Sequence, residues 1–250
     1  MLSQINPHPR DNDIKFDSVL HKYTVNSDPE YISVTTFIKQ YFEKFDPDTI
    51  ARNMVKNKNF KTDPKYAKYQ FGLEGEELIQ KIVSSWTDYG KQVSGEGTTM
   101  HNNIENYYND NKFDHNNQLF KIYDDAMNEK GYKPYRTEFM IYDEDFKIAG
   151  CVDMLYYHPE RKTYHMVDWK RSKKIEFKGY KKALYPISHL DDCNGIHYTL
   201  QLNLYKFILE KNYNINIYDM KLVILHPDNH GIIEIGNHQN DIVKLLSIKK

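Results

Sequence analysis

Cysteine is scarce in this chain: Cys151 and Cys193 are the only two among 250 residues. Two thiols cannot supply the thiolates of an iron–sulfur cluster or of a cysteine-rich zinc site, so neither is expected, and Cys151, inside an apolar run, reads as a small core residue. Long apolar stretches are also missing. Without a run of roughly 18 apolar residues no membrane-spanning helix is expected. The first sixteen residues have neither the apolar core of a secretory signal nor the arginine-rich amphipathic pattern of a transit peptide, which leads to the expectation of an intracellular protein with no membrane partner. Charge of one sign is not in excess either, since 34 Lys and Arg stand against 35 Asp and Glu. A generally basic nucleic-acid coat protein is thereby disfavoured, while a local basic groove is not. No internal repeat is found, and the length suffices for one substantial domain or for a core with an added lobe.

What is present concentrates in residues 148–174, IAGCVDMLYYHPERKTYHMVDWKRSKK. Two apolar segments flank the turn-like His158-Pro159-Glu160-Arg161-Lys162, which predicts an antiparallel hairpin. If the turn is symmetric about Glu160 and Arg161, Asp153 faces Asp168 across the ladder, and Lys170 projects from the same face as Asp168. Both arms are otherwise apolar on both sides, so both faces are expected to be covered. Like charges buried together share a proton or hold a cation. A divalent metal with oxygen ligands is the economical reading.

The remaining chain arranges itself around this hairpin. Residues 14–25 suggest a small hairpin. A helix is expected over 33–45 with Ser33 as N-cap, and a second over 48–56 after Asp46-Pro47. In 57–71, Lys58, Lys61, Lys65 and Lys68 interleave with Phe60, Tyr66, Tyr69 and Phe71. That pattern suits either a track for a single nucleic-acid strand or a solvated amphipathic face. Residues 74–110 read as helical with a break near 90–97, after which Thr98 or Thr99 would cap a helix carrying His101 and Glu105 on one face. A helix over 116–130 ends at Gly131, a strand over 136–142 carries Glu138, and a helix from Asn194 places Gln201 and Tyr205 four residues apart. Strands over 219–226 and 231–235 and a helix over 240–248 close the chain. From 170 to 182 seven Lys and Arg are opposed by Glu176 alone, a run able to bind phosphates without reading sequence.

Taken in order, Gly97-Thr98-Thr99-Met100-His101, Ala149-Gly150-x-x-Asp153, Asp168-Trp169-Lys170 and Gln201-x-x-x-Tyr205 form a pattern that resembles the PD-(D/E)XK nuclease superfamily, in its RecB-like exonuclease branch. The similarity runs over most of the chain, from Ser33-Val34-Thr35-Thr36 onward. With no cluster cysteines, the chain is more similar to cluster-free members of that branch, of the mitochondrial genome maintenance and viral or phage types. The resemblance implies an α/β fold: a restriction-endonuclease-like core, with a mixed central sheet flanked by helices and an N-terminal helical support or lid region. The expected division is a hairpin and helical lobe over 1–95 and the nuclease core over 96–250.

The resemblance also implies a site. Asp153, Asp168, His101 and the Trp169 carbonyl would bind Mg²⁺ or Mn²⁺; imidazole suits Mn²⁺ better. Lys170 would orient or deprotonate the attacking water, and Glu138 would join the catalytic carboxylates. Glu105 and Glu138 could hold a second metal or orient the ligands, Glu105 being equally able to form an ordinary salt bridge. Arg171, Ser172, Lys173, Gln201 and Tyr205 would lie at the DNA or near Lys170. The function so implied is a metal-dependent deoxyribonuclease, an exonuclease on single-stranded or flapped DNA ends. The alternatives are a structure-selective endonuclease, a duplex-end exonuclease of the phage recombination type, and a nucleic-acid-binding module without catalysis.

Overall fold

A computed structural model of the chain describes residues 1–110 and 118–249. In chain order the helices are α1 (Leu2–Ile5), α2 (Val34–Lys39), α3 (Pro47–Val55), α4 (Gly75–Asp110), α5 (Gln118–Glu129), α6 (Asn194–Asn212) and α7 (Gln239–Ser247). The strands are β1 (Ile14–Asp17), β2 (Lys22–Val25), β3 (Ile32–Ser33), β4 (Lys133–Asp143), β5 (Ile148–His158), β6 (Thr163–Lys170), β7 (Ile217–His226) and β8 (Asn229–Glu234). No described helix is long and apolar enough to cross a membrane. The fold is α/β, with a mixed sheet flanked by helices.

The sheet is built around β5. Along one edge it pairs antiparallel with β4, from Lys133↔Tyr157 to Asp143↔Ile148. The other edge of β5 takes β6 antiparallel over Met154–His158 and, at its start, the two-residue β3 in parallel. β6 continues in parallel with β7, and β7 in antiparallel with β8. The strands that are apolar on both faces are covered on both, as expected. One cluster packs α2, α6 and α7 on the sheet through Phe37, Leu204, Ile208 and Leu245, and another packs the end of α4 and α5 on it through Ile104, Phe120, Met154 and Trp169.

The chain divides into two compact units, Met1–Glu43 with Met100–Lys250, and Lys44–Thr99. These bounds differ from the expected 1–95 and 96–250. The N-terminal residues join the sheet unit because Arg136 grips Asp11 with two hydrogen bonds of 2.9 and 3.1 Å and Arg10 lies over the Tyr142 ring, 3.9 Å from its centroid. Ser33 caps α2 as expected by accepting the Thr36 amide, but α2 stops at Lys39, short of residue 45.

In the second unit, Asp46 caps α3, and Ala51, Phe60, Leu78, Ile79 and Ile82 form the core. The rings of 57–71 are largely spent on this packing: Phe60 is buried and the Tyr69 hydroxyl accepts from Trp86 Nε1 at 2.8 Å. The lysines stay outside, Lys65 and Lys68 lying 4.7 and 5.0 Å from the Tyr66 and Tyr69 rings.

The expected break over 90–97 is absent. α4 runs unbroken, its residues to Thr99 lying in the second unit and those from Met100 in the first. No proline interrupts it, and interior glycines cost only about 1 kcal/mol each relative to alanine. Thr98 and Thr99 are therefore not caps; their hydroxyls donate back to the Ser94 and Gly95 carbonyls. The expected start of the next helix at 116 lies outside the described residues, and its end is followed by Gly131 at φ 83°.

Candidate active site

The site forms where β5 and β6 part. Their last ladder pair is Met154↔Val167. One step further Asp153 and Asp168 stand opposite, in the expected register, but β6 has left β5 and stays paired only with β7 through Asp168↔Leu222 and Lys170↔Ile224. In place of a ladder bond, Asp153 Oδ2 accepts the Trp169 amide at 2.8 Å. Across β4, the pairs Thr137↔Met154 and Phe139↔Val152 put Glu138 level with Asp153. Glu138 has φ 46°, a left-handed conformation unusual for a residue within a strand. Holding it there costs on the order of 1–3 kcal/mol. Three carboxylates on adjacent strands thus share one level of the sheet.

His101 reaches this level from α4. Its Nδ1 lies 3.2 Å from Glu138 Oε1 and 3.6 Å from Asp153 Oδ2, and its Nε2 lies 3.1 Å from the Trp169 carbonyl. Acceptors on both sides suit a ring that carries both protons. Burial works against that charge, but Asp153 and Glu138 outweigh it and push the imidazole up to about 9.

The other half of the site gathers on Lys170. Its ammonium lies 2.6 Å from Asp168 Oδ2 and 4.7 Å from the Tyr198 ring centroid. Burial lowers its proton affinity, yet Asp168 and Asp153 hold it above the ordinary lysine value, so it stands as an ammonium. Burial pushes Asp168 up to about 6 against the pull of Lys170, and pushes Asp153 up as well against His101 and Lys170. Asp153 and Asp168 are only 8% and 2% exposed, so these charges interact with little screening.

α6 supports the carboxylates. Gln201 Nε2 is 3.4 Å from Asp168 Oδ1 and donates to the Tyr205 hydroxyl at 3.1 Å. The Tyr205 ring crosses Gly150 so closely that a Cβ there would lie 2.5 Å from Tyr205 Cε1 and 3.2 Å from Val34 Cγ2. This close approach accounts for the glycine of the Ala149-Gly150 pair. Gly150→Val is expected to destabilise the fold by about 1–3 kcal/mol, read as a lower midpoint in urea unfolding.

The sequence-derived set is therefore brought together, with changes of grouping. The donor atoms of His101, Glu138 and Asp153 lie within 4.8 Å of one another and could hold a metal ion. Asp168, expected as a ligand, is turned to Lys170 and Gln201. Glu105 lines a cavity of about 250 Å³ together with Glu138. Cys151, expected as a plain core residue, is partly buried and its thiol lies 3.3 Å from Glu138 Oε2.

The basic run is less free than its composition suggested. Lys173, Lys181 and Lys182 pair with Asp228, Glu43 and Asp191, which come from outside the run, while Lys174 pairs with Glu176 within it. The Ser172 hydroxyl donates to the Lys174 carbonyl, and Arg171 also makes interactions of its own. Residues missed from sequence are Tyr198, whose signal was its place three residues before Gln201 on the same helix, and Thr137, whose hydroxyl donates to the Asp153 carbonyl at 3.1 Å.

The donor set fits a hard divalent cation. Glu138 Oε1 and Asp153 Oδ2 lie 3.2 and 3.6 Å from one imidazole nitrogen, Nδ1, so one nitrogen and two carboxylate oxygens gather within 4.8 Å. The Trp169 carbonyl, expected as a further ligand, faces the other nitrogen, Nε2, at 3.1 Å and lies outside this group. Carboxylates with an imidazole suit Mn²⁺ or Mg²⁺. Because a metal needs the neutral imidazole, protons compete below about 9. Mn²⁺ affinity is expected to rise from about pH 6 to about pH 8, by up to about tenfold per unit, in calorimetric titration; a flat profile would exclude His101 as a ligand.

No family model and no curated protein matches the chain. Among matching solved structures is one described as the crystal structure of SSO0001, 15% identical, with a TM-score of 0.34, covering 87% of this chain and 74% of that one.

Proposed function

We propose that the chain is a metal-dependent deoxyribonuclease of the PD-(D/E)XK type, a RecB-like exonuclease acting on single-stranded or flapped DNA ends. The observation that carries this reading is the meeting of Asp153, Asp168 and Lys170 at the parting of β5 and β6, with His101 and Glu138 alongside. His101, Asp153 and Glu138 would hold Mg²⁺ or Mn²⁺, with Asp168 and the Trp169 carbonyl beside them. Such a cation, when bound, supplies Lewis-acid polarisation of the scissile phosphate.

The chain's own groups do the rest. Lys170, held as an ammonium, orients the attacking water and neutralises charge that grows on the phosphate. Asp168 fixes Lys170, and Gln201 with Tyr205 fixes Asp168, so the α6 pair acts through the carboxylate. Arg171 and Lys173 follow the site directly in sequence and supply phosphate contacts without sequence preference. Linear single-stranded DNA is expected to be degraded in Mg²⁺ or Mn²⁺ while its circular form resists, measured on denaturing gels. Equal cleavage of both forms would instead identify an endonuclease, and cleavage of neither would overturn the reading.

A further inference from the structure

On the face of the sheet that carries α5 lies a second cavity, of about 420 Å³, within the range of roughly 300–1,000 Å³ typical of small-molecule sites. Its floor is His165, 1% exposed, held between the Asp219 carboxylate at Nδ1 and the Tyr123 hydroxyl at Nε2, 2.6 Å away. Asp219 is the carboxylate of the wall, and it is already occupied by His165 and by Lys221, whose ammonium lies 3.5 Å from it. Lys130 and Arg161 complete the cationic wall. Among the described residues neither of these two has a carboxylate within ion-pair range. The surplus charge of the cavity is therefore positive. Tyr218 stands at the rim, 62% exposed, its ring open to a planar partner.

This cavity is separate from the active site. His165 and Asp168 are three residues apart on β6, roughly 10 Å at strand rise, and project from opposite faces of the sheet. We propose that the cavity is a binding site for a phosphate monoester joined to a planar base: a free nucleoside monophosphate, or the 5′-phosphorylated terminal nucleotide of a DNA strand. Lys130 and Arg161 take the phosphate through charge-assisted hydrogen bonds, and Tyr218 stacks on the base. The site stands independently of the nuclease reading.

The test is calorimetric titration of the full chain in EDTA with deoxyadenosine monophosphate, inorganic phosphate and a 5′-phosphorylated dinucleotide. Deoxyadenosine monophosphate is expected to bind about tenfold or more tightly than phosphate, because stacking adds to the ionic contact. The double variant Arg161→Gln, Lys130→Gln alters exposed side chains only and is expected to weaken it by about tenfold or more, whereas Lys170→Ala leaves it unchanged. Tighter binding of the dinucleotide supports the site and assigns it to a DNA end; weaker binding supports it and assigns it to the free nucleotide. No heat with the mononucleotide, an unchanged affinity in the double variant, a loss in Lys170→Ala, or equal affinity for phosphate and mononucleotide would each overturn the proposal.

Discussion

Lys170→Ala is expected to lower cleavage of end-labelled single-stranded DNA by about a hundred- to a thousandfold, the scale on which removal of one preorganised charge-stabilising donor acts. Asp168→Asn is expected to match it. The two residues work as one unit, 2.6 Å apart. Without Asp168 the ammonium loses the partner that fixes it; without Lys170 a buried carboxylate loses its cation and takes up a proton more readily. Binding of the same DNA to either variant, followed by gel shift in Ca²⁺, is expected to change by less than about threefold, since phosphate contacts are spread over several cations. Lys170→Arg should not restore the rate, because a planar guanidinium does not reproduce a compact ammonium between Asp168 and the Tyr198 ring. Full cleavage by either inactivated variant would sink the nuclease assignment.

The hairpin was legible because its information is local. The turn residues set the register, the register put Asp153 opposite Asp168, and period two placed Lys170 on the same side. The parting of the strands at that level was not legible, since it depends on β6 preferring β7 to β5 beyond Val167. The same holds for Glu138: its strand was expected, but its left-handed backbone and its place 3.2 Å from His101, on a helix distant in sequence, were not. The α4 break failed for the opposite reason. Local glycine propensity pointed to a stop at 90–97, and a continuous helix overrode it. The basic run shows how a count along the chain misleads, because Glu43, Asp191 and Asp228 come to it from elsewhere in the fold. What pattern reading supplied was the order of the chemistry; what folding supplied was which charge meets which.

Trp169→Ala is expected to cost about 3–5 kcal/mol of stability, the range for an aromatic removed from a core. For a chain of this size each kcal/mol lowers the melting midpoint by roughly 2–4 °C, so a fall of about 10 °C should appear in thermal unfolding. The indole is 1% exposed and meets the Phe120 and Tyr123 rings edge-on, with centroids 5.5 Å away in each case. The same residue's main chain serves the site, its amide donating to Asp153 and its carbonyl facing His101. Stability and chemistry are therefore coupled at one position. Trp169→Phe keeps a ring against α5 and should recover much of both, whereas Trp169→Ala should lose cleavage even at temperatures where it stays folded. If Trp169→Ala were folded and fully active, the packing of the indole would have no part in holding the carbonyl and amide in place, and the coupling of core to site would be refuted.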